Sequence, residues 1–218
     1  MSSQANNNDL FFQAAALGQF EAVKEFIANG MDINTKCQYE GDTALTYAAS
    51  EGNVPMVKWL LDHGADPDVL NDAKETALHY ATYNNSLDIV ELLIEHDCEL
   101  DYPKNSPMLW AIRRDLQEMT HLMIKGGVKL DHQDSEGDTA LMIAAESGRK
   151  NIVGMLIDGG ADISLKNKLG ETAEDLARED DHMEIVSMFE AVHEKQRLQE
   201  RHAQRGNLRR YLRGNRPS

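Results

Sequence analysis

A short hydroxyl residue followed by a small apolar stretch recurs at Thr43, Thr76, Ser106, Thr139 and Thr172, at intervals of 33, 30, 33 and 33 residues. A period near 33 marks a stack of supersecondary units, each too small to bury its own apolar face and completed by its neighbours. The chain therefore predicts an elongated array. Such an array has no enclosed pocket by default, and its working part is a long open surface.

The residues within each period have physical roles. The five hydroxyl residues suit helix N-termini, where a side-chain oxygen satisfies an orphan backbone N–H. Ala48-Ala49 and Ala144-Ala145 are small enough for close helix packing. Gly52 and Gly148 suit the left-handed turn that ends a first helix, and Gly64 and Gly160 the turn that ends a second. Met56, Val57, Leu60 and Leu61, like Ile152, Val153, Leu156 and Ile157, fall at helical spacing and form a buried stripe. The segments between units, such as Ala65 to Lys74, are too short and polar for a strand layer and read as projecting hairpins.

The copies running from Gly41 to Asp68 and from Gly137 to Ser164, with Thr76-Ala-Leu-His79-Tyr-Ala81 at the centre of a third, resemble the ankyrin repeat. The resemblance runs from Leu10 to about Phe189. It implies an all-α solenoid of stacked helix-turn-helix units with short β-hairpin fingers, and it assigns His79 a structural bond near the motif threonine. Six units are expected, near 10–34, 41–68, 74–101, 104–131, 137–164 and 170–189. A flexible leader, 1–9, precedes them, and a basic helical extension and tail, 190–218, follows. Glu174 stands where Leu45, Leu78 and Leu141 stand elsewhere, which fits a solvent-facing terminal cap.

The middle of the array departs from the pattern. Lys74, Asn85 and Asp97 replace the glycines of other units, and the finger before Ser106 is three residues short. Asn and Asp tolerate positive φ, at a greater cost than glycine. Two readings stay open: local drift with lost stability, or a binding notch exposing Trp110, Arg113 and Arg114.

The 218-residue chain carries a net charge of −15. From 190 to 218 eight basic residues face three glutamates, so the extension is +5 and the body −20. An acidic body argues against general nucleic-acid binding and for a partner protein with a basic or mixed patch. The extension interleaves arginine with Leu208, Tyr211 and Leu212 and reads first as a disordered tail; folding back on the acidic body, or an acidic protein, nucleic acid or a membrane surface as ligand, are the alternatives that stay open. No run of 18 apolar residues suggests a membrane span. The polar start lacks the pattern of a secretory signal, and Cys37 and Cys98 lack metal-ligand spacing; both read as reduced thiols of a cytoplasmic protein.

Nothing in the pattern points to catalysis. The eight histidines lack zinc-hydrolase spacing, and no nucleophile elbow, Walker loop or dinucleotide fingerprint occurs. Neither a metal nor a cofactor is expected.

By resemblance, contacts come from the finger tips and from the groove side of each first helix. This selects Tyr39, Glu40, Asp42, Asp72, Glu75, Glu136 and Asp138 on the fingers, with Glu51, Tyr83, Asn84, Trp110, Arg113, Arg114 and Glu146 in the groove. Tyr83, Arg113 and Arg114 form the expected centre, since Tyr, Trp and Arg dominate interface energetics; the competing reading pairs Arg113 with Glu146. The function expected is a protein-interaction module, an adaptor or scaffold. The alternatives are a stoichiometric inhibitor or immunity-type protein, and a translocated bacterial effector whose basic tail is the export signal.

Overall fold

The structure, a computed structural model, describes residues 2–102 and 105–214, with side chains given for 8–102 and 105–204. Twelve helices occur among them, in six consecutive pairs, and no strand. The pairs are α1 (Ser2–Ala16) and α2 (Phe20–Ala28), α3 (Ala44–Ser50) and α4 (Val54–Asp62), α5 (Ala77–Tyr83) and α6 (Leu87–Glu95), α7 (Pro107–Arg113) and α8 (Gln117–Lys125), α9 (Ala140–Glu146) and α10 (Lys150–Asp158), and α11 (Ala173–Glu179) and α12 (Met183–Gly214). The leader is not a separate segment: residues 2–9 belong to α1.

Each internal first helix starts where the hydroxyl residues predict. Thr43 and Thr46 form a reciprocal cap: the Thr46 N–H donates to Thr43 Oγ1 at 3.3 Å, and the Thr43 N–H to Thr46 Oγ1 at 2.7 Å. At α5 the imidazole takes the second role, Nδ1 of His79 accepting from the Thr76 N–H at 3.0 Å. Ser106 accepts from the Leu109 N–H at 3.3 Å, and Pro107 occupies a first-turn position where no N–H is needed.

One core runs the length of the stack. Each of the four internal layers contributes an apolar residue two places after the hydroxyl (Leu45, Leu78, Met108, Leu141) and a triplet from the second helix, such as Met56, Val57 and Leu60. The fourth layer is the exception: Thr120 is fully buried, and its Oγ1 has no hydrogen-bond partner. Aromatic rings close the N-terminal end, with Phe12 stacked on Tyr47 at 5.5 Å.

The turns behave as the substitutions predict. Gly52, Gly64, Gly148 and Gly160 have positive φ, and so do Lys74 (66°), Asn85 (52°) and Asp97 (56°) in the glycine places of the third unit. At Gly137 a Cβ would lie 2.9 Å from the backbone nitrogen of Lys168 in the next finger. Lys74 holds the equivalent place before the shortened finger.

The fingers are turns without strand pairing. Four of the fingers close on backbone bonds, such as Asn71 N–H to Glu75 C=O at 2.8 Å and Asn167 N–H to Glu171 C=O at 3.0 Å, with arms too short to extend a ladder. Neighbouring fingers join through Asp72 N–H to Glu40 C=O (2.9 Å) and Lys168 N–H to Glu136 C=O (3.0 Å).

At the C-terminal end Glu174 does not face open water. It accepts from Arg178 at 2.8 Å within α11 and from His193 of α12 at 2.9 Å. Ile185, Val186 and Phe189 of α12 are buried, completing the last layer; every described side chain from Glu194 to Gln204 is exposed.

Candidate functional site

The geometry of a stacked array puts first helices side by side, so α5 and α7 bring Tyr83 and Trp110 together with ring centroids 5.0 Å apart. The Arg114 guanidinium lies over the Trp110 ring, its Cζ 4.9 Å from the centroid, within cation–π range. The Tyr83 hydroxyl donates to Glu75 Oε1 at 2.7 Å, and Asn105 Nδ2 donates to the same oxygen at 3.0 Å. Burial, reinforced by Glu75, pushes the Tyr83 phenol above its ordinary range, so it stays a neutral donor.

Tyr83 and Trp110 line an open cleft of about 480 Å³, with Asn105, Ser106, Leu109, Arg113, Asp134 and Ser135 completing the wall, and Arg114 lies beside it on the Trp110 ring. Arg113 is 61% exposed in its side chain and meets Asp134 at 4.0 Å, the limit of an ion pair. Its nearest acid is therefore in the following finger, and not Glu146. A pair of this length and exposure contributes less than about 1 kcal/mol, which leaves the guanidinium available. The cleft combines half-buried aromatic walls, a neutral phenol and one exposed cation, Arg113, with the exposed Arg114 beside it on the Trp110 ring. It has the chemistry to hold a bulky apolar or aromatic side chain beside a carboxylate.

The other selected residues divide into two groups. Tyr39 (80% exposed), Glu40, Glu51, Asp72, Glu136 and Glu146 are exposed. Asp42 is 5% exposed and turned inward, where Asn71 Nδ2 donates to its Oδ1 at 2.8 Å. Asp138 repeats this arrangement, accepting from Asn167 at 3.0 Å. Asn84 is exposed, yet its amide donates to the Ser50 carbonyl at 2.6 Å, capping the preceding first helix. Asp42, Asp138 and Asn84 thus serve as links between units; finger acids one place before a cap sit against the neighbouring finger, away from the tip.

Sequence reasoning missed two features. Leu169, at 82% exposure, is the barest large apolar side chain among the described finger residues. A ladder of Asx side chains also ties consecutive units: Asn34 Oδ1 accepts from Asp66 N–H at 2.9 Å, Asp68 from Glu99 at 2.8 Å, Asp101 from Lys129 at 2.9 Å and Asp131 from Asp162 at 2.8 Å. The near-33 spacing of these four residues is the signal that would have found it.

His79 is fully buried with Tyr102 edge-on at 4.6 Å, and burial lowers its pKa. Its role is the structural one that the resemblance implies. Cys37 and Cys98 are buried and unbridged, and burial pushes the Cys98 thiol up to about 12, away from nucleophilic use. Among the described residues no cluster of His, Cys, Asp and Glu has metal-site geometry, and no helix is long and apolar enough to cross a membrane.

Comparison with known proteins points the same way. A family model described as ankyrin repeats, three copies, matches residues 11–104 and 100–167. A solved ankyrin repeat domain from Acinetobacter baumannii is 26% identical with a TM-score of 0.73, covering 80% of this chain and 93% of that one. A chain in the structure of the Bdellovibrio bacteriovorus predatory endopeptidase Bd0816 in complex with immunity protein Bd3460 is 29% identical with a TM-score of 0.68, covering 82% and 96%. Among curated relatives, an ankyrin repeat protein of fowlpox virus is 41% identical over 61 residues, 28% of this chain and 9% of the relative. Mouse ankyrin repeat domain-containing protein 40 is 31% identical over 72 residues, 33% of this chain and 20% of that protein. The match thus spans a fifth or less of these two curated relatives. With the repeat period, the paired helices and the family match in agreement, the chain belongs to the ankyrin-repeat family.

Proposed function

Ankyrin repeats are protein–protein interaction modules, and we propose that this one grips a partner protein at the notch between its third and fourth units. The observation that carries this reading is the Tyr83–Trp110–Arg113 cleft, with Arg114 against its Trp110 ring. Interface energy concentrates in aromatic and arginine residues seated in pockets, with other contacts serving mainly to exclude water. Glu40, Glu51, Asp72, Glu136 and Glu146, exposed around it, supply a negative surround for a basic or mixed partner patch. In this reading the chain acts without catalysis, as an adaptor or scaffold.

The test is affinity capture from the native cell with wild type and with Arg113→Ala/Arg114→Ala. Both arginines are exposed, so the double variant should melt as wild type does. A protein recovered by wild type and lost by the variant supports the notch; identical recovery contradicts it.

A second reading, a stoichiometric inhibitor or immunity-type protein, draws on the likeness to a chain of an endopeptidase–immunity protein complex. It uses the same surface. Assaying the captured protein for enzymatic activity with and without this chain separates the two: inhibition at one-to-one ratio supports the second reading, and unchanged activity supports the adaptor.

A further inference from the structure

The first helices α3, α5, α7, α9 and α11 lie side by side, so the rim on which they end presents one short stretch per unit. Glu51 follows α3, Tyr83 ends α5, Arg113 and Arg114 close α7, Glu146 ends α9 and Glu179 ends α11. The charged ones are all exposed. Along the rim the sign therefore reads negative, neutral, positive, negative, negative, and the reversal falls at the notch.

Within the notch the acids are already engaged and the cations are not. Glu75 Oε1 accepts from the Tyr83 hydroxyl and from the Asn105 amide. Asp134 Oδ1 accepts the N–H groups of Glu136 at 2.8 Å and Asp138 at 3.0 Å. Arg113 has one ion pair, at the 4.0 Å limit; among the described residues no carboxylate comes within 4.0 Å of Arg114, whose guanidinium rests on the Trp110 ring. What the notch calls for is thus an acceptor, and the planar arginine fork matches a carboxylate or a phosphate. A phosphate carries about two negative charges where a carboxylate carries one, and Glu51, Glu146 and the −20 body repel it in proportion. The surround therefore favours a carboxylate.

The walls set what accompanies that carboxylate. Tyr83, Leu109 and Trp110 offer apolar surface, which an aromatic side chain covers well. First helices pack about 8–10 Å apart, so an α-helix about 10–12 Å across rides above the slot, whereas an extended chain lowers a side chain into it. α3 and α9 each lie about one and a half such spacings from the slot, which an extended chain covers in about four residues at about 3.3 Å each. There Glu51 and Glu146 call for basic residues. Given the notch as the gripping site, we infer that its occupant is an extended segment of the partner, with an aromatic–acidic pair at its centre and a Lys or Arg about four residues to either side.

The test is titration calorimetry of the full chain with an end-blocked synthetic peptide, Lys-Gly-Ser-Asp-Phe-Asp-Ser-Gly-Lys, whose symmetry makes the direction of binding immaterial. Replacing both Asp by Asn, Phe by Ala, or both Lys by Glu should each weaken binding about fivefold or more. Arg113→Ala/Arg114→Ala should erase the preference for Asp over Asn, and Glu51→Gln/Glu146→Gln the preference for Lys over Glu, with both variants melting as wild type. These paired losses support the inference. No binding at about 1 mM peptide, equal binding of the Asp and Asn peptides, preferences that survive in the variants, or tighter binding when phosphotyrosine replaces Phe would overturn it. If the peptide fails while Arg113→Ala/Arg114→Ala still loses the native partner, the notch stands as the gripping site and this assignment of its occupant falls.

Discussion

Thr120 sits where Val23, Val57, Val90, Val153 and Val186 sit in the other layers, all of them buried. Its side chain has the same shape as valine, but its Oγ1 is buried without a partner. A buried hydroxyl that loses water and gains no bond costs about 1–3 kcal/mol. Thr120→Val should therefore raise unfolding stability by about 1 kcal/mol, seen as a higher urea midpoint with unchanged slope. No rise would mean that the hydroxyl finds a partner in solution. At His79 the same logic acts through protons. Its Nδ1 accepts the Thr76 N–H, and burial holds the folded pKa below the ordinary 6.5, against a weaker opposing pull from Glu75. The unfolded chain then binds the extra proton, so stability is present above pH 6.5 and is lost as pH falls below it. Between pH 7.5 and 5.5, wild type should lose more thermal stability than His79→Asn, whose amide cannot take that proton. Parallel pH profiles would remove His79 from the account.

The helices were legible because their signals are local. A cap residue, a small-residue pair and a stripe at helical spacing each act within a few residues, and Thr43, Ala48 and Leu60 can be read without knowing what lies beside them. What joins one unit to the next was not legible, because it rests on polar residues that look like solvated loop. Asp42 reads as a finger acid until Asn71, 29 residues away, is seen to donate to it. The expected β-hairpins reduce to turns for a related reason: four of the fingers hold only two short internal backbone bonds each, such as Asn71 N–H to Glu75 C=O and Lys74 N–H to Asn71 C=O, and neighbouring fingers add bonds such as Asp72 N–H to Glu40 C=O. Glu174, read as facing water, instead accepts from His193 of α12, a polar contact that the predicted helical extension did not reveal. The Asx ladder gives the sharpest check at this scale. Asp101 Oδ1 accepts the Lys129 N–H at 2.9 Å across the irregular third-to-fourth junction, and its Oδ2 meets Lys129 Nζ at 3.3 Å. Asp101→Ala should cost about 1 kcal/mol, most of it the lost bond to a backbone donor, since the lysine of the ion pair is 74% exposed. Asp101→Asn should recover most of that loss in the same unfolding assay, and an equally damaging Asn would show that charge, and not the bond, matters.

For the whole molecule, a regular stack offers a partner nearly the same surface at every step, so specificity has to come from the irregular step. The shortened finger, the glycine substitutes at Lys74, Asn85 and Asp97, and the polar Thr120 layer all fall in the third and fourth units, beside the Tyr83–Trp110 cleft. The array thus combines its least regular packing with its most interface-competent side chains. Of the selected residues, the cleft draws together Tyr83, Trp110 and Arg113, with Arg114 on the Trp110 ring, while Tyr39 is an exposed aromatic on the first finger. The most direct measurement is the affinity of the captured partner for Arg113→Ala/Arg114→Ala, set against Glu21→Ala/Glu25→Ala on the exposed part of α2 as a control, by titration calorimetry. The account predicts at least a tenfold loss for the arginine variant, equivalent to about 1.4 kcal/mol, with the control unchanged and both melting as wild type. Equal affinities for the two variants would contradict it.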